Sequence, residues 1–132
     1  MFLQENVIFI LAYLFYIGAI LVHVFVISKV LPYHLINGGR SASYEVQVKQ
    51  SIMSIVILGL GIVYVSIGFL IPQFKRSIVF MILSFILALF WLLGTVMQLL
   101  GTKFERYYIS WINLVGVISH VQLALIYFSE DI

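Results

Sequence analysis

Four stretches of this chain hold no Asp, Glu, Lys or Arg for long enough to cross a lipid bilayer as helices. They comprise 23 residues between Glu5 and Lys29, 25 between Lys49 and Lys75, 26 between Arg76 and Lys103, and 23 between Arg106 and Glu130. A membrane-spanning helix needs about 20 largely apolar residues, and a charge at the bilayer centre costs at least about 2.5 kcal/mol. Gaps this clean have a direct cause in lipid. Composition points the same way: 64% of the chain is hydrophobic and 9% charged, against about 25% charged in soluble domains. A water-soluble fold of this length exposes too large a share of its surface to hide so much apolar area. No stretch shows the alternation of a lipid-facing strand, and lipid requires backbone groups to be satisfied within each helix or in a closed barrel. The expected fold class is all-α, an integral membrane antiparallel four-helix transmembrane bundle. It forms one domain over residues 1–132, with spans at about 6–30, 46–71, 77–100 and 107–128.

The connectors PQFKR (72–76) and GTKFER (101–106) are short, so consecutive spans are expected to run antiparallel as neighbours. Both termini and the 72–76 turn then share one side, with Lys75 and Arg76 against Glu5, Glu130 and Asp131. The other side carries Lys29, Arg40, Lys49, Lys103 and Arg106 against Glu45 and Glu105. Basic residues near span ends set orientation. Five against two places residues 31–45 and 101–106 in the cytoplasm and both termini outside, in a cell (plasma) membrane. Tyr33, Tyr44, Phe104, Tyr107, Tyr108 and Trp111 cluster beside the same ends, where amphipathic rings sit at headgroup level. The first span lacks a basic leader and a small-x-small cleavage site, and reads as a retained helix rather than a signal peptide.

With lipid outside, polar and small residues report which faces meet protein. Span one offers Tyr13, Tyr16, Ala19 and His23; span two offers Ser54, Gly61, Tyr64 and Gly68. Span three offers Ser84, Ala88, Trp91, Thr95 and Gln98, and span four Ser110, Asn113, Gly116, His120, Ala124 and Tyr127. Each helix owns one such stripe. Small residues and interhelical hydrogen bonds explain the stripes as packing. The sharper reading is a polar-lined interior pocket built by Tyr16, His23, Tyr64, Trp91, Thr95, Gln98, Asn113, His120 and Tyr127.

Candidate chemistry is sparse. The net charge of +2 arises from basic residues at span ends, which topology explains, so no nucleic-acid partner is expected. The chain has no cysteine, which removes thiolate nucleophiles and Cys-based metal centres. His23 and His120 invite haem, and Met53, Met81 and Met97 invite copper. The two histidines, however, lie at heights differing by roughly 10 Å at 1.5 Å per residue, awkward for one iron; no cofactor is expected. Acidic residues all sit outside the spans, which counts against a proton-coupled exporter. Neither GxSxG nor HExxH occurs, and GLGIVY (59–64) lacks the third glycine of a nucleotide fingerprint.

Between the first two spans lies LPYHLINGGRSASYE (31–45). Pro32 ends a helix, Asn37-Gly38-Gly39 tolerate left-handed backbone, and Ser41 or Ser43 can cap the next helix with Glu45 in its first turn. The plain reading is a turn and a helix start. The alternative is an anionic headgroup site at Gly38, Gly39, Arg40 and Lys49, with His34 beside it. The expected function is a non-catalytic accessory subunit or a module binding a small ligand or lipid, either self-associating or joined to a larger membrane protein. An oligomeric small-molecule transporter is the first alternative, and a membrane redox or lipid-modifying enzyme using the histidines the second.

Overall fold

A computed structural model describes residues 3–129, all helices and turns with no strand among them. Four of its helices are long and apolar enough to cross a membrane. Helix α1 spans Glu5–Ile27, α2 Tyr44–Leu70, α3 Ile78–Leu99 and α4 Ser110–Leu125. A π-helical stretch, Glu105–Ile109, leads into α4, and a 3₁₀ turn, Ile126–Phe128, finishes it. Glu130 and Asp131, counted above with the terminal side, lie outside the described residues.

The helix ends follow from capping chemistry. Helix α1 stops at Ile27, three residues short of the expected 30, because the chain turns at Lys29 in left-handed conformation (φ 62°) before Pro32 is reached. The carbonyls left over at a helix end need donors. Here Ser28 N serves Val24 O at 2.9 Å, Leu31 N serves Phe25 O at 2.9 Å, and the Tyr44 hydroxyl donates to Ile27 O. Ser43, not Ser41, caps α2, its Oγ accepting from Val46 N. Pro72 opens a single helical turn, Pro72–Lys75, where a missing N–H costs nothing. Ser77 then caps α3 by accepting from Phe80 N at 3.1 Å.

Thr102 and Glu105 form a reciprocal capping box at the start of the fourth span. Glu105 N donates to Thr102 Oγ1 at 3.2 Å, and Thr102 N donates to Glu105 Oε1 at 3.2 Å. Gly38 N adds a third bond to the same carboxylate oxygen, at 2.7 Å, and Thr102 Oγ1 donates to Leu35 O at 2.5 Å. The two loops are thereby tied to each other. At the opposite end Lys75 pairs with Glu5, and Arg76 Nη1 donates to Ser129 O at 3.1 Å.

Helix α1 packs on α2 and α4, and α3 packs on α4, whereas the backbones of α2 and α3 scarcely approach. The fourth span is the least apolar of the four and also the most enclosed, with over half of it buried against less than a third of each other span. That correlation is expected in lipid: polar side chains are carried on the helix that neighbours cover.

Candidate functional site

The interior divides into a sealed half and an open half. The sealed half lies toward Glu5 and the 72–76 turn. Ile8, Phe9, Ala12, Phe15 and Tyr16 of α1 meet Val65, Phe80, Leu123 and Ile126 there, all nearly or fully buried. Glycines make the close approaches: a Cβ on Gly61 would stand 2.2 Å from the Tyr16 ring, and one on Gly116 2.6 Å from the Phe15 ring. Tyr16 and His120 are bonded at 2.8 Å between Oη and Nε2. His120 Nδ1 lies 2.7 Å from Gly116 O, which can only accept. The ring proton is therefore on Nδ1, and Tyr16 donates to Nε2. Both ring nitrogens of His120 are used in packing.

The open half lies toward the loops. A cavity of about 160 Å³ is lined by His23, Ser54, Trp91, Gln98 and Asn113 together with apolar groups such as Leu58 and Phe90. It shares His23, Ser54 and Gln98 with the wall of a second cavity of about 300 Å³ bordered by Asn37, Arg40, Gln50 and Glu105. The inner cavity has no charged side chain in its wall. Its polar groups are short of partners. Asn113 is 7% exposed and its carboxamide makes no hydrogen bond within the described residues. Gln98 Oε1 is buried with none; Trp91 Nε1 lies beside the Tyr16 hydroxyl, whose oxygen can accept from it while its proton goes to His120. Buried polar groups are nearly always satisfied, and each orphan costs about 1–3 kcal/mol. The carboxamides of Gln98 and Asn113 thus leave hydrogen-bonding capacity unused in the wall of one cavity.

A chain of polar side chains runs from this cavity to the loop. His23 Nδ1 meets Ser51 Oγ at 2.9 Å, and Gln47 Nε2 donates to the same hydroxyl at 3.0 Å. Ser41 donates to Gln47 Oε1 at 2.5 Å, and Asn37 Nδ2 donates to Ser41 Oγ at 3.1 Å. Gln47 and Ser51 are buried and were missed from the sequence. Their i, i+4 spacing with Ser54 beside it carried the signal, because Gln47 lies close to the charged end of the span and reads there as a solvated residue.

The nine residues expected to line one pocket separate into groups. His23, Trp91, Gln98 and Asn113 come together at the inner cavity. Tyr16 and His120 pair beneath it, and Thr95 donates back to Trp91 O in its own helix at 2.9 Å. Tyr64 bridges α2 to α3 through Ser84 Oγ at 2.6 Å and Phe80 O at 2.9 Å. Tyr127 is 37% exposed and faces away from the interior. The terminal 3₁₀ turn sets Ile126 over Leu123, so His120, Leu123, Ala124 and Ile126 are buried and Tyr127 alone of the expected row turns outward.

The glycine loop is arranged for an anion that the protein itself supplies. Asn37, Gly38 and Gly39 all have positive φ, at 54°, 63° and 71°. The amide of Gly38 binds Glu105, while those of Gly39 and Arg40 bind Ile36 O and Asn37 O. Arg40 folds its guanidinium over Gly38 and borders the outer cavity; Lys49 is exposed and not among its lining residues. Comparison with known proteins adds nothing further. No family model, curated protein or solved structure matches this chain.

Proposed function

We propose that this chain is an integral membrane protein, an antiparallel four-helix bundle that binds a small molecule through an uncharged hydrogen-bonding group. The two loops lie in the cytoplasm and the termini outside. The bundle is supported by the ties among Gly38, Leu35, Thr102 and Glu105 at one end and among Glu5, Lys75, Arg76 and Ser129 at the other. The observation that carries the binding reading is the inner cavity with the unpartnered carboxamide groups of Gln98 and Asn113.

Two features narrow it. A charged ligand group would enter a wall that offers no counter-ion, at a cost of several kcal/mol. An alcohol, ester or amide would satisfy carboxamide donors and acceptors alike. At about 30 Å³ per liquid water, 160 Å³ accommodates a glycerol-sized group. The closed packing of Phe9, Phe15, Tyr16 and Leu123 below the cavity supports a binding site over a conduit through the bundle.

The test compares heads on one tail. Monoolein, oleic acid and oleylamine are added in turn to detergent-purified protein, and thermal unfolding is followed. Monoolein is expected to raise Tm, since a ligand at a hundred times its Kd adds about 2.7 kcal/mol. The two charged analogues should not, and Asn113→Leu and Gln98→Leu should abolish the effect. Equal stabilisation of Asn113→Leu would discard the site.

A further inference from the structure

The loosest contact among neighbouring helices is the one between α2 and α3, and it is not empty of shape. Ile57, Leu60 and Gly61 of α2 face Leu83, Ile86, Leu87 and Phe90 of α3 across a groove of about 270 Å³, floored by Tyr16, Tyr64 and Trp91. Tyr64 closes one end of this seam with its bonds to Ser84 and Phe80 O. At its other end the groove shares Ile57, Phe90 and Trp91 with the inner cavity. An apolar trough thus adjoins a pocket with unpartnered carboxamides, and Ile57, Phe90 and Trp91 are common to both walls.

We propose that the seam holds the apolar tail of an amphiphile whose uncharged head occupies the inner cavity, so that the ligand is a bilayer-dissolved molecule reaching its site sideways between α2 and α3. This rests on the binding reading above and adds the ligand class and the route. The adjacency of the two spaces, with Ile57, Phe90 and Trp91 in both walls, selects this occupant. A partner helix would cover the trough and leave Asn113 and Gln98 unsatisfied, whereas a headed chain meets both surfaces at once. Ordinary phospholipid carries a phosphate that the uncharged wall of the inner cavity cannot neutralise. A monoacylglycerol or a long-chain alcohol carries none.

Trp91 reports on the junction directly. The chain has two tryptophans, and Trp111 is exposed, so Trp111→Phe leaves Trp91 as the sole emitter. This protein is reconstituted in phosphatidylcholine vesicles and titrated with a monoacylglycerol brominated at mid-chain, a quencher acting near contact. Saturable quenching to less than half, reversed by unbrominated monoolein, is expected; brominated phosphatidylcholine at the same mole fraction should quench weakly. Ile57→Phe and Leu87→Phe narrow the seam and should raise the half-saturating concentration at least tenfold. Asn113→Leu should do the same from the head side. Circular dichroism and ligand-free Tm confirm that each variant is folded. If monoolein stabilises the protein in an Asn113-dependent way but Trp91 is not saturably quenched, or both seam variants bind normally, lateral seating is overturned while the pocket stands. Linear quenching identical for both brominated lipids means that bulk lipid fills the seam, which also overturns it. Absence of any stabilisation by monoolein removes the pocket and the seam together.

Discussion

At the scale of single residues, space and hydrogen bonding decide what each position tolerates. Gly59 and Gly61 are two apart on α2, yet a Cβ meets nothing within 4 Å at Gly59 and collides with the Tyr16 ring at Gly61. Gly61→Ala should cost about 1–3 kcal/mol through overpacking, while Gly59→Ala should be neutral or stabilise by up to about 1 kcal/mol. Denaturant titration of both variants in micelles checks the contrast, and similar effects at the two sites would mean that Tyr16 lies elsewhere. Tyr16 and His120 should couple in a double-mutant cycle with Phe and Leu by about 0.6–1.7 kcal/mol, the range for interhelical hydrogen bonds in membranes; an additive cycle contradicts their bond. Both residues were visible in the sequence as polar groups on apolar faces, and so were His23, Gln98 and Asn113. What the sequence could not show is which of them pair. Tyr16 meets His120 across 104 positions, and no local pattern distinguishes that satisfied pair from the unsatisfied Asn113 one turn from Gly116.

At the scale of elements, Glu105 is the joint between the loops. Its one carboxylate oxygen accepts from Thr102 N and from Gly38 N, and the residue is 5% exposed. Hydrogen bonds to a charged acceptor contribute about 1.5–3 kcal/mol each. Glu105→Ala should therefore leave the four long helices intact and loosen residues 35–40, with amide exchange at Gly38 rising roughly ten- to a hundredfold, tenfold per 1.4 kcal/mol. Glu105→Gln keeps an acceptor oxygen and should fall between. Unchanged exchange at Gly38 in Glu105→Ala would show that the loop holds itself. The Thr-x-x-Glu spacing of 102–105 was a legible helix-start signal, as was Ser43 ahead of α2. Its second role was not legible, because Gly38 lies 67 positions away. The charge-free gaps located the four long apolar helices to within a few residues, since such a gap is a property of composition and needs no distant partner. They overran at Ile27, where the turn at Lys29 depends on carbonyl partners that only the folded chain provides.

At the scale of the whole molecule, the same few charges that bound the spans should also choose which way the bundle faces. Lys29, Arg40, Lys49, Lys103 and Arg106 flank the loop end, and Lys75 and Arg76 the other. Acidic residues contribute little to this choice, so the pairing of Lys75 with Glu5 does not alter the count. The chain contains no cysteine, which makes single-cysteine labelling clean: Ala42 and Gln73 are both exposed, one on each connector. A membrane-impermeant maleimide applied to intact cells should modify Gln73→Cys at once and Ala42→Cys only after permeabilisation. The reverse pattern would invert the orientation and place the mouth of the outer cavity, with Arg40 and Gln50, on the external face. The cause can be tested with the result. Changing Lys29, Arg40 and Lys49 to Gln reduces the loop side from five basic residues to two, equal to the two at Lys75 and Arg76. Both cysteines should then label partially from outside, because two orientations become nearly equal in energy. If labelling instead stays one-sided after the charges are balanced, helix insertion order rather than basic residues sets the topology, and the loop end is oriented by the first span alone.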